Sequence, residues 1–93
     1  MYLNVLIHFE TSFDLGSQKV KIKPDYTVGM IMYKIREKFI QNDSKRAMFL
    51  FFHDSKTNSS LLQPTHKKII DIYNELNKPV WIEIHVKHEN TFG

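Results

Sequence analysis

Ninety-three residues with 42% hydrophobic and 13% aromatic content suit one compact domain, residues 1–93, with a real core and no room for a second. The absence of cysteine excludes thiol catalysis, disulfides and cysteine-ligated zinc, and no apolar run nears the roughly 20 residues of a membrane span. Thirteen Lys and Arg against ten Asp and Glu leave +3, a mild excess that suits acidic partners or an anionic membrane surface without demanding nucleic acid.

Met1-Tyr2-Leu3 leads into a strand rather than a signal sequence. From Tyr2 to Phe9, residues Leu3, Val5, Ile7 and Phe9 alternate with Tyr2, Asn4, Leu6 and His8, the period of a strand buried on one face. A polar turn around Asp14 to Ser17 precedes Lys19-Val20-Lys21-Ile22-Lys23, a strict alternation that predicts an antiparallel hairpin partner with a lysine row. Thr27 is placed as an N-cap, and Val28, Ile31, Met32, Ile35 and Phe39 recur at helical spacing. Met48 to Phe52 is too short for a free-standing helix and too aromatic for a loop, so it reads as a strand, with a very short one at Ser60-Leu61-Leu62. Ile69, Ile72, Tyr73 and Leu76 predict a short helix stopped by Asn77-Lys78-Pro79. The last strand, Val80 to Val86, would turn Val80, Ile82, Ile84 and Val86 inward and leave Trp81, Glu83 and His85 opposite. A polar, flexible tail, residues 87–93, would then run out to a bare glycine.

The order β-β-α-β-β-(short α)-β points to an α+β fold, the ubiquitin-like β-grasp. In that fold a mixed four- to five-stranded sheet has outer strands from the hairpin, a last strand beside the first, and one face covered by the long helix. Leu6, Lys21 and Trp81 would show on the other face.

Several stretches resemble the autophagy ubiquitin-like modifier family, which includes the GABA-receptor-associated proteins and the microtubule-associated light chains. Asp25-Tyr26-Thr27-Val28-Gly29 is similar to the family's Asp-Leu-Thr-Val-Gly helix start, followed by an Ile-Arg pair at Ile35-Arg36. Ala47 to Phe52 resembles its aromatic strand, Ile72-Tyr73 its Leu-Tyr helix, and Glu89 to Gly93 its aromatic-Gly terminus. The resemblance departs from the family in two respects. Members carry two helices before the first strand, where this chain has Met1 and Tyr2, and their glycine is normally exposed by a protease, whereas nothing follows Gly93 here.

The resemblance implies a covalent modifier rather than an enzyme. Gly93 would be activated by E1-like and E2-like conjugation enzymes and joined to an amine, with phosphatidylethanolamine expected. The protein would be cytoplasmic, and membrane-associated on autophagosomes once conjugated. A sibling modifier attached to protein, or an unconjugated adaptor or decoy, shares these features. The resemblance also implies that autophagy receptors with an aromatic-x-x-aliphatic motif add a strand along the second strand. Val20, Ile22, Tyr26 and Ile31 would receive the aliphatic residue, and Leu6, Lys21 and Trp81 the aromatic one. Val20, Ile22 and Ile31 fit core packing equally well. Lys19 and Lys21 could pair with acidic residues flanking such peptides, or simply guard an edge strand. Phe49, Phe51 and Phe92 match positions that contact conjugation enzymes, although strand phenylalanines are usually core.

No cofactor is expected. His85-x-x-His88 is the nearest histidine pair, but strand geometry puts the two rings on opposite faces, which argues against a metal site. The lysines at 19, 21, 23, 67 and 68 lack the aromatic stacking motif of an RNA-binding sheet, so no nucleic acid is expected.

Overall fold

The structure, a computed structural model, describes residues 1–40 and 47–88. Phe92 and Gly93 lie outside the described residues. The chain runs β1 (Leu3–Phe9), a 3-10 turn (Thr11–Phe13), β2 (Ser17–Ile22), α1 (Val28–Phe39), β3 (Met48–Asp54), β4 (Ser59–Leu62), α2 (Ile69–Glu75) and β5 (Ile82–His88).

These strands form one sheet in the order β2-β1-β5-β3-β4. β1 and β5 are parallel and the other pairs antiparallel. The hairpin therefore supplies one edge strand, β2, whereas β1 is interior; the short β4 forms the other edge, a correction to the expectation that both hairpin strands lie outermost. Burial follows strand parity. Leu3, Val5, Ile7 and Phe9 of β1 and Ile82, Ile84 and Val86 of β5 are buried on one face, against Val28, Ile31 and Ile35 of α1 and Ile69 and Ile72 of α2. Each such aliphatic side chain contributes roughly 1.5 to 3 kcal/mol on leaving water.

Three chain reversals use left-handed backbone, one of them at Asn58 (φ 52°) between β3 and β4. Between β1 and β2, Asp14 (φ 57°) and Gly16 (φ 64°) turn the chain, and the Phe9 N–H donates to the Gly16 carbonyl at 2.9 Å. After α2, Asn77 (φ 65°) and Lys78 (φ 53°) do the same, and the Lys78 N–H donates back to the Tyr73 carbonyl at 2.9 Å. This last reversal delays β5. Val80 is 79% exposed and Trp81 precedes the strand, so the inward turn expected of Val80 does not occur. At its other end β5 continues through Lys87 and His88, two residues the sequence assigns to the tail. Met48 pairs with His88, and the His88 N–H donates to the Glu10 carboxylate at 3.0 Å.

Candidate peptide-docking edge

The start of α1 sets the geometry of the site. The Thr27 hydroxyl accepts from the Met30 N–H at 3.2 Å, the N-cap expected from the sequence. The segment before α2 then takes up free N–H groups of the first turn. Val28 donates to the Lys67 carbonyl and Gly29 to that of Thr65, both at 2.9 Å. Gly29 suits this approach, since a Cβ there would stand 3.3 Å from the Thr65 carbonyl oxygen. The Ile69 N–H donates to the Tyr26 carbonyl at 2.8 Å, which fixes the loop carrying Tyr26 between β2 and α1.

Between β2 and α1 lies a groove of about 270 Å³ that Val20, Ile22, Tyr26 and Ile31 all line. These are the four side chains expected around an aliphatic pocket. Ile22 and Ile31 are also core residues, while Val20 and Tyr26 are half-buried and pack on the core from its rim. Core packing and groove lining are thus compatible roles here. The groove is smaller than the roughly 300 to 1,000 Å³ of small-molecule sites, a size suited to one inserted side chain. Ile7, Ile35 and Phe39 extend its apolar wall, and Lys34 and Lys38 stand at it as well. Sequence reasoning passed over these five. The signal was available, because Ile31, Lys34, Ile35 and Lys38 recur at the three- and four-residue spacing of one helix flank.

β2 is an edge strand, and among the described residues its outer side pairs with no further strand. Its main-chain N–H and C=O groups there can bond to an incoming extended peptide. On the sheet face away from the helices, Leu6 lies opposite Lys19 in register, and the Lys19 ammonium sits 5.4 Å from the centroid of the Trp81 ring, a cation–π distance. Leu6, Lys19 and Trp81 therefore gather on the open face. Lys21 has the same strand parity, opposite Asn4, and is also among the residues lining the groove.

The aromatic strand β3 turns Phe49 and Phe51 to the same open face. Phe49 is 38% exposed and Phe51 half-buried, beneath the Lys87 ammonium at 5.3 Å. Neither is a core residue, since Met48, Leu50 and Phe52 take that side of the strand. His85 and His88 fall on opposite faces, as strand parity requires. No helix among the described residues is long and apolar enough to cross a membrane.

A mixed sheet with β1 and β5 parallel at its centre and one long helix across a face defines a ubiquitin-like β-grasp domain. A solved structure of Trypanosoma brucei ATG8 has this fold, with a TM-score of 0.71 and 22% identity over 99% of this chain and 77% of that one. In sequence the chain is 31% identical over 81 residues to autophagy-related protein 8 of Kluyveromyces lactis and 32% identical to that of Pichia angusta, covering 86% of this chain in each case. In sequence and fold the chain is similar to these autophagy-related ubiquitin-like proteins. The chain spans about 60% of the length of these two relatives. No protein-family profile matches it.

Proposed function

We propose that the domain is an autophagy-type ubiquitin-like modifier whose β2 edge receives aromatic-x-x-aliphatic peptides of autophagy receptors. The observation that carries this reading is the free edge of β2 beside an apolar groove lined by Val20, Ile22, Tyr26 and Ile31. A strand added along β2 alternates its side chains between the two sheet faces. One would enter the groove, and another would lie toward Leu6, Lys19 and Trp81. Lys34 and Lys38 at the groove and Lys19 on the strand favour peptides with acidic flanks.

Conjugation belongs to the same reading and rests on kinship and on Gly93, whose lack of a Cβ suits passage through a narrow activating site. E1-like and E2-like enzymes would be the partners. Phosphatidylethanolamine is the expected acceptor, and it would bring the protein to autophagosomal membrane.

The docking site is tested by Val20→Asp, which sets a carboxylate into the groove wall from a half-buried edge position. Calorimetric titration with an acidic-flanked aromatic-x-x-leucine peptide should show binding to the parent and at least about fivefold weaker binding to the variant, since an unpaired polar group placed in an apolar site costs roughly 1 to 3 kcal/mol. Unchanged affinity in a variant with a parental circular dichroism spectrum would refute the site.

A further inference from the structure

The open face carries a row of three histidines that come from distant parts of the chain. His8 of β1 and His85 of β5 are direct partners in the parallel register, and their rings stack with centroids 4.8 Å apart at 22°. His53 of β3 meets His85 edge-on at 6.0 Å. The two ends of the row are tied down. His8 bonds through Nδ1 to the Ser17 hydroxyl at 2.9 Å and through Nε2 to the Glu83 carboxylate at 3.1 Å. His53 Nδ1 bonds to the Ser60 hydroxyl at 3.3 Å.

Beyond His85 the row opens into a hollow of about 410 Å³ lined by Phe51, His53, Asn58, Ser60, His85 and Lys87. Its polar lining is a lysine ammonium, two imidazoles, a hydroxyl and an amide, with no carboxylate among the described residues that line it. Among the described residues, Glu83 bonds to His8, and Asp54 accepts from the Lys56 N–H at 3.0 Å. Phe51 gives an apolar floor under Lys87. Burial holds His85 below its ordinary pKa, aided by His8, His53 and Lys87 and opposed by Glu83. An anion in the hollow would reverse the sign of that environment. A cation would not be favoured beside the Lys87 ammonium, which lines the same hollow.

We propose that this hollow binds a tetrahedral oxyanion of the phosphate class, held by Lys87 and Ser60 together with His53 and His85. The anion enters beside the Lys87 ammonium, and the His85 imidazole, whose pKa is held down in the free protein, takes up a proton as it binds. Binding therefore strengthens as pH falls, and each proton taken up contributes up to about tenfold in affinity per pH unit. The site is independent of the peptide edge, since it occupies the β3–β5–β4 side of the sheet.

Sulfate is the suitable first probe because it does not titrate in this range. The full chain would be titrated with sodium sulfate at pH 7.5 and 5.5, with ionic strength held constant by chloride, while the histidine ring resonances are followed by NMR. Saturable shifts are expected at His53 and His85 and not at His66, which lines a different part of the surface near Met30 and Tyr33. Affinity should be at least about tenfold higher at the lower pH. Lys87 is exposed, so Lys87→Met leaves the core alone and should weaken sulfate at least about tenfold at both pH values. Ser60→Ala, on the edge strand β4, should weaken it less. Inorganic phosphate and glycerol phosphate at pH 7.5 then separate two sources: equal affinity marks a site for a phosphate ester, and preference for inorganic phosphate marks a site for the free ion. Non-saturating shifts, affinity independent of pH, or sulfate binding unchanged in Lys87→Met would overturn the proposal.

Discussion

Truncating the peptide one residue at a time separates the two halves of the proposed docking site. The aliphatic residue would enter a groove whose deeper walls are core side chains, Ile22 at 8% and Ile31 at 1% exposure, with Val20 and Tyr26 at the rim. Changing a peptide leucine to alanine removes about three carbon groups at roughly 0.8 kcal/mol each when fully enclosed. The groove is open toward solvent, so the expected loss is about 1.5 to 2 kcal/mol, or roughly 10- to 30-fold in Kd. The aromatic residue would lie against Leu6, Lys19 and Trp81, where the Lys19 ammonium already faces the indole. Its ring gains contact with Trp81 and the lysine stem but no closed pocket, so its truncation should cost only about 0.5 to 1 kcal/mol, two- to fivefold. Isothermal titration with the parent peptide and the two alanine versions reads both numbers. A larger loss at the aromatic position would refute the assignment of the affinity to the groove.

Further outcomes follow from the same structure. Thr27→Ala removes the hydroxyl that caps α1 and should cost about 1 kcal/mol, lowering Tm by roughly 4 to 8 °C in a thermal melt, with a loss below 1 °C counting against the cap. Deleting Gly93 should abolish thioester formation with E1-like and E2-like enzymes, with Gly93→Ala milder; intact-mass analysis showing equal thioester from deleted and full-length protein would remove the conjugation half of the account. The depressed pKa of His85 means that the unfolded chain binds more protons there, so its contribution to stability is present above the ordinary value of 6.5 and is lost as pH falls through the lower folded value. Urea melts between pH 7.5 and 5 should show that loss, and His85→Gln should flatten the profile.

The β-grasp was legible because local patterns carried it. The alternation in Leu3 to Phe9 reported which face is buried, and Thr27 followed by apolar residues at helical spacing located α1 to the residue. What escaped depended on placement in three dimensions. Val80 continues the apolar alternation of β5 in sequence, yet the left-handed Asn77 and Lys78 and the following Pro79 carry it out into solvent before pairing begins at Ile82. Lys21 has the parity of the open face yet also lines the groove beside α1, and strand parity alone does not report that second placement. The histidine row was hidden for a related reason. His8, His53 and His85 are far apart in the chain and meet only through the β1–β5–β3 register, whereas the pair visible locally, His85 and His88, points to opposite faces. Of the candidate site, the four groove residues were visible as hydrophobic positions in β2, the following loop and α1, while Lys34 and Lys38 were legible only through their spacing from Ile31 on the same helix flank.

The most direct measurement is an NMR structure restraint set on the chain bound to an acidic-flanked aromatic-x-x-leucine peptide. The account predicts backbone-to-backbone contacts between the peptide and residues 19–23, slowed exchange of the outward-facing amides of β2, and methyl contacts from the peptide leucine to Val20 and Ile31. Peptide contacts confined to β4 or to the exposed face of α1, with the β2 amides exchanging as in the free protein, would contradict it.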